Sequence, residues 1–384
     1  MVPTIGERVK HVMHKQVRDT KMNNKITVKS REYNTDEKIS KPLRFFFIVN
    51  QIFASLDFGF KEYKTNKMRL LSKLGVIAVS LIQGTIIIVF LFIKMNFFYP
   101  KWVLKLLLEY YSYVLILIFT PDDRTFCFYL MELQYFDEQM GIQSSSYKID
   151  FKIIVFWCVS SITDATLMWI NYLTSDKYIN LLTLNGLLYI VKRTCTLPLI
   201  LLFFVFYSML CRLLKLKLYI NNKKISVLRA LELYRFLIDA IEKVIGTFKY
   251  IYIVYLIFNV PGVMASLFEL IKLMISDENI NYLKAVTPYF DTLVIIIILI
   301  IPTITATILS QETLNIKLIL HNRVLEEVDE NEIELLENMI HYIEARPFKF
   351  FMLSLVPMDA MLVIILFNFS INYLIVLIQI THVL

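Results

Sequence analysis

The sequence predicts an all-α, polytopic membrane protein with seven transmembrane helices, its N-terminus cytoplasmic and its C-terminus extracellular. Three observations carry that prediction. Of 384 residues, 57% are hydrophobic, only 19% are charged and only eight are glycine, and the mean hydropathy is +0.59. A soluble chain of this length carries more charge and more turn residues. The apolar residues also fall in blocks long enough to cross a bilayer, which takes about 20 helical residues. Finally, basic residues crowd alternate connecting segments, as they do on the cytoplasmic side of membrane proteins.

Residues 1–42 are polar and basic without an apolar signal-peptide core, and read as a cytoplasmic tail. Met1-Val2 excludes an N-myristoyl glycine. Leu43–Phe60 is apolar and aromatic but interrupted by Asn50, Gln51, Ser55 and Asp57, which suits an interfacial helix on the inner face. Six spans follow within residues 43–309: Leu74–Ile93, Val103–Thr120, Phe151–Leu173, Tyr178–Cys211, Thr247–Ile275 and Val286–Leu309. A seventh block, Phe348–Ile380, closes the chain. This block and Tyr178–Cys211 each exceed a simple crossing, at roughly 50 Å of helix against a hydrocarbon core of about 30 Å. In the last block Pro357 removes a backbone donor, and so divides a cytoplasmic helical half, Phe348–Val356, from a membrane half, Met358–Ile380. Residues 310–357 therefore read as a cytoplasmic region and 358–384 as the last helix. In the former, Leu336, Met339, Ile340 and Ile343 recur at helical spacing within an acidic stretch.

Direction follows from charge. The segments Arg8–Lys73 and Arg212–Lys243 hold most of the 40 lysines and arginines, whereas the expected outer loops carry little beyond Lys101, Lys177 and Lys284. Placing the N-terminus inside puts both basic segments in the cytoplasm. The net charge of +7 belongs to these membrane-flanking segments, so nucleic acid is not an expected partner. Cys127, Cys158, Cys195 and Cys211 are scattered, and none lies in an expected outer loop, which argues against an external disulfide.

Enzyme chemistry finds no footing. The five histidines lie outside the spans without ligand-like spacing, and there is no phosphate-cradling glycine loop, zinc-protease motif or nucleophile elbow. No cofactor is implied. Charges inside the spans are few: Asp164 in the third, Lys192 and Arg193 in the fourth. Antiparallel neighbours at similar depth pair, so Asp164 is matched with Lys192 or Arg193, either as a tie between helices or as the floor of an outward cavity. Glu109, Tyr110, Trp169, Asn185 and Tyr189 surround that depth and suit a small amphipathic ligand, though aromatics near span ends also serve as interface anchors. Asn368-Phe369-Ser370 is a glycosylation sequon by pattern but falls within the last span.

The run Asn372-Tyr373-Leu374-Ile375-Val376-Leu377-Ile378-Gln379-Ile380 puts two polar side chains into an aliphatic segment, where each needs a partner or water. It resembles the C-terminal signature of insect gustatory receptors: Thr-Tyr, five hydrophobic residues, Gln-Phe. Asn372 stands in place of the Thr and Ile380 in place of the Phe. Arg346-Pro347-Phe348-Lys349 together with Ile365–His382 is most similar to the moth-and-butterfly branch usually regarded as bitter receptors.

The resemblance implies seven spans with the N-terminus inside, opposite to G-protein-coupled receptors, whose Asn-Pro-x-x-Tyr signature is absent. It also implies an intracellular anchor and a tetramer whose last helices surround a pore. The function so implied is a ligand-gated, nonselective cation channel for small, plant-derived bitter tastants. Such a channel sits in the plasma membrane of a sensory neuron, as a homotetramer or with other gustatory subunits. Tyr373, Gln379 and Ile380 are then the pore and gate candidates. Ile380 would form an apolar constriction, and Gln379 would stabilise the open pore or bond between helices. Tyr373 and Gln379 are about 120° apart around the helix and serve different surfaces. The alternatives are an odorant-type subunit that needs a co-receptor, and a secondary transporter, which would show inverted repeats.

Overall fold

A computed structural model describes residues 123–141, 179–275, 282–352 and 356–381, together with the single helical residues Leu115, Val159, Thr163 and Thr166. The elements are helices α1 (Asp123–Gln139), α2 (Ile179–Asn221), α3 (Val227–Ile275), α4 (Tyr282–Glu326) and α5 (Glu330–Ala345), then a hairpin of β1 (Phe351–Met352) and β2 (Val356–Pro357), and helix α6 (Ala360–Thr381). Among the described residues the protein is thus all-helical apart from that hairpin. Among the described residues, four segments are long and apolar enough to cross a membrane: Leu199–Asn221, Phe248–Phe268, Thr292–Glu326 and Ala360–Ile380. The three expected spans before Tyr178, the interfacial helix and the N-terminal tail lie outside the described residues.

Helices α2, α3 and α4 are 43, 49 and 45 residues long, or about 65–75 Å each. The surplus length expected of the fourth span is unbroken helix that runs on past Cys211 to Asn221. The fifth span likewise begins twenty residues earlier than the apolar block suggested, and the sixth ends well beyond Leu309. The physical reason is a buried stripe that continues where hydropathy drops. Leu202, Phe206, Met209, Leu213, Leu216 and Ile220 alternate steps of three and four along α2, and all are buried. Tyr234, Leu237, Ile241, Val244 and Phe248 do the same on α3, and Thr313, Ile316 and Leu320 continue it on α4. Lysines and arginines on the outward faces lower the average without interrupting the stripe.

Four threonines of α4 are locally satisfied. Thr303, Thr305, Thr307 and Thr313 each donate to a carbonyl three or four residues back, so that an apolar environment meets no free hydroxyl hydrogen. The end of α2 is closed by paired backbone bonds, Lys224 N–H to the Tyr219 carbonyl at 3.0 Å and Lys223 N–H to that of Ile220 at 3.1 Å. Lys223 takes the left-handed conformation, φ 51°, that this helix terminus demands.

Helix α5 is capped by Asp329, whose side chain accepts from the Asn331 amide, and carries Glu330 and Glu332 in its first turn, favourable to the helix dipole. Its buried residues are Leu336, Met339, Ile340 and Ile343, the four that share one face by spacing, and they pack on α4 and α3.

The last apolar block differs from expectation. Phe348–Val356 is not a helical half. Phe351 pairs with Pro357 and Met352 with Val356, antiparallel, and α6 begins only at Ala360. Proline does disrupt the helix, by pushing Val356 out of the helical region and offering no donor. The deciding force is burial of aromatics on both sides of the chain. Phe348 meets the Tyr234 ring edge-on at 5.5 Å between centroids, and Phe350 meets Phe206 at 4.9 Å. A single helical face does not present both.

Candidate functional site

Helix α1 lies against α2 and α3 and is clasped at successive turns. Tyr129 donates to the Val205 carbonyl at 3.0 Å and lies 2.7 Å from the Ser208 hydroxyl. Glu132 pairs with Lys243 of α3 at 3.0 Å. Burial nonetheless pushes the Glu132 carboxyl above its usual range, the Lys243 ammonium offsetting only part of that cost. Tyr135 packs on Phe236, and Asp137 forms an ion pair with Arg212 of α2 at 2.5 Å. At the far end Arg229 of α3 bonds Gln139, and Tyr219 bonds the Met140 carbonyl. The segment between the expected second and third spans has no long apolar block to announce a helix. The signal available was the helical spacing of Tyr129, Leu133, Phe136 and Met140, all buried.

The C-terminal ends of α2 and α4 and helix α5 are tied by charge. Lys217 pairs with Glu312 at 2.7 Å, Lys317 with Glu344 at 2.6 Å and Arg323 with Glu332 at 3.0 Å. The hydrogen bond and charge of Lys317 hold the exposed Glu344 carboxyl below its usual range.

Residues 346–352 and 356–359 belong to a strap between α5 and α6. Arg346 reaches Asp239 at 2.8 Å and Glu242 at 2.6 Å on α3, and lies over the Tyr342 ring. Desolvation raises the Tyr342 phenol above its usual range, against the lowering effect of Arg346. Phe348 is buried between aromatics, and the Met358 amide closes the hairpin on the Phe350 carbonyl at 2.8 Å. The start of α6 is then mounted on α4. Thr307 accepts from the Ala360 amide at 2.8 Å, and Asp359 accepts from Met361 at 2.9 Å.

Past that mount α6 is little covered among the described residues. Met358 and Leu362 are buried, but most of the helix beyond them is exposed. The exposed residues include three polar ones, Asn368, Asn372 and Gln379. Their spacing of four and seven places all three within about 40° of one another. Tyr373, 44% exposed, and Ile380, 69% exposed, lie well off that line. The expected residues Gln379, Ile380 and Tyr373 are therefore all available at the subunit surface. Asn368 and Asn372 join Gln379, a grouping that sequence reasoning missed although the i, i+4, i+11 pattern was there to read.

No protein-family model matches this chain, and no curated protein is similar to it in sequence. The solved insect olfactory receptor OR5 from Machilis hrabei superposes with a TM-score of 0.56 at 10% identity, over 88% of this chain and 97% of that one. The chain has the fold of an insect olfactory receptor. The same receptor in complex with eugenol matches with a TM-score of 0.48 at 12% identity over the same shares. On this receptor fold Asn185, Tyr189 and Lys192 lie on α2, although their side chains are outside the described residues. Glu109, Tyr110, Asp164 and Trp169 are outside them altogether, and with them the expected pairing of Asp164 with Lys192 or Arg193.

Proposed function

We propose that the chain is a subunit of a ligand-gated, nonselective cation channel of the insect chemoreceptor kind. One observation carries this reading. Helix α6 is apolar enough to span a membrane, is scarcely covered by its own subunit, and displays Asn368, Asn372 and Gln379 along one line. Amide side chains facing lipid are costly, so that line faces a water-filled lumen shared with other copies. Gln379 faces the lumen at its outer end, and Ile380 and Tyr373, about 20° apart on the adjacent face, pack against the neighbouring last helix, where Ile380 closes the constriction from its flank. The receptor fold and the alternation of basic segments support seven spans with the N-terminus inside. Residues 43–309 are then the ligand-binding bundle, residues 310–357 a cytoplasmic anchor and residues 358–384 the pore-lining helix. Glu109, Tyr110, Asp164, Trp169, Asn185, Tyr189 and Lys192 remain the residues proposed to meet ligand. The C-terminal run and the Arg346–Lys349 segment favour a gustatory subunit of the bitter type in the sensory-neuron plasma membrane. The likeness to an olfactory receptor favours an odorant-type subunit as the second reading.

Patch-clamp recording decides between these. A plant-alkaloid panel evokes a fast, nucleotide-independent cation current when the chain is expressed alone. A current that requires a co-receptor and volatile ligands selects the odorant reading, and stoichiometric uptake without current removes both. Asn372→Asp adds a ring of carboxylates to the lumen and raises relative calcium permeability by several-fold. Unchanged permeability places Asn372 away from the lumen.

The tetramer has its own support. Leu314, Leu318 and Leu325 are exposed at spacings of four and seven on the part of α4 beyond a bilayer's thickness. Such a stripe suits helix packing between copies. Burying a leucine is worth about 1.5–3 kcal/mol, so Leu318→Arg lowers the apparent assembly affinity by tenfold or more in mass photometry. A tetramer of undiminished stability excludes this seam.

A further inference from the structure

Helix α1 and the strap between α5 and α6 grip the same turns of α2 and α3 through adjacent residues. On α2, Val205 accepts the Tyr129 hydroxyl of α1 at 3.0 Å, while the next residue, Phe206, packs on Phe350 of the strap at 4.9 Å between centroids. On α3, Lys243 holds Glu132 of α1 at 3.0 Å, while the preceding residue, Glu242, holds Arg346 of the strap at 2.6 Å. Neighbouring helical residues point about 100° apart, so each helix meets α1 and the strap on adjacent faces of the same turn. Asp239, the second partner of Arg346, also places its charge within reach of Glu132 and helps raise that carboxyl. The strap ends where α6 is mounted on Thr307, two residues after the hairpin closes.

We propose that α1 is a relay whose position is transmitted across one turn of α2 and one turn of α3 to the strap, and so to the root of the last helix. Helix α1 occupies the segment between the expected second and third spans, so a shift of those spans drags it by covalent connection. Packed helices pass such a shift as rigid elements, since a close-packed interface moves between discrete arrangements instead of stretching. Tyr129 and Glu132 on one side, Phe350 and Arg346 on the other, are positioning residues in this scheme. The functional consequence rests on the channel reading above, but the mechanical link does not.

Two readouts separate them. Hydrogen exchange on the detergent-solubilised full chain, without ligand, reads the link directly. Tyr129→Phe removes one hydroxyl from α1, and exchange at the Met358 amide, which closes the hairpin, is expected to accelerate about threefold or more. Glu132→Gln, which keeps the side-chain volume, gives an independent second variant with the same expected result. Faster exchange confined to α1, with the strap unchanged in both variants, overturns the relay. The second readout is a double-mutant cycle on agonist-evoked current. Tyr129→Phe and Phe350→Leu are expected to shift half-maximal concentration by amounts that fail to multiply, by about threefold or more. Shifts that multiply overturn a role for the relay in gating. If the unmodified protein passes no current, the channel reading fails, and the exchange measurement still decides the link.

Discussion

Asp137→Ala is expected to destabilise the protein by about 3–5 kcal/mol, since it takes the anionic partner from a buried charge. Arg212 is 4% exposed and Asp137 7% exposed, and their 2.5 Å contact joins helices 75 positions apart in the chain. Without the carboxylate, Arg212 keeps the Ser208 carbonyl at 2.9 Å, a neutral acceptor that does not compensate a desolvated guanidinium. The cost is therefore that of leaving the cation, which exceeds the worth of the pair itself. The double replacement Asp137→Leu/Arg212→Met removes both charges and is expected to recover most of the loss. Thermal unfolding in detergent, followed by intrinsic fluorescence, checks both. A single variant that melts with wild type, or a double variant as unstable as the single, contradicts this account of the pair.

Phe348→Ala is the second large effect. The ring is 2% exposed and sits edge-on to both Tyr234 and Phe350. Removing a buried aromatic costs about 3–5 kcal/mol through lost transfer energy and the cavity left behind. The cavity opens where the strap meets α3, beside Tyr234, which also bonds the Arg346 carbonyl at 3.3 Å. Loss is thus expected to spread into the strap. Phe348→Leu, which refills part of the volume, restores at least half of the stability. Exposed Val328→Ala serves as control, with a change below about 0.5 kcal/mol. If Phe348→Ala matches that control, the strap is not held by its aromatics.

Legibility in the sequence followed the range of the forces involved. The buried face of α5 was readable because Leu336, Met339, Ile340 and Ile343 repeat at helical spacing and nothing distant is needed to see it. The apolarity of α6 was readable for the same reason. Helix α1 was hidden because only one stripe of it is apolar, and that stripe is flanked by Glu132, Asp137 and Gln139, which bond α3 and α2. The hairpin was misread because Phe348–Val356 is apolar enough for a helix. Its conformation was chosen by Tyr234 and Phe206, more than a hundred residues away. The C-terminal parts of α2 and α4 and the N-terminal part of α3 carry lysines and arginines that lower hydropathy, so the stripe running on through them does not show as an apolar block.

By itself the sequence determined a helical membrane protein and where its apolar faces repeat. Hydropathy and periodicity are local properties, and a lipid environment obliges each spanning segment to satisfy its own backbone. Tertiary structure alone decided that Arg346 binds Asp239 and Glu242, that Asp137 is buried against Arg212, and that α6 starts at Ala360 on a threonine of α4. Those outcomes depend on which side chains meet across long stretches of chain, and burial then makes each charge or aromatic ring depend on its partner.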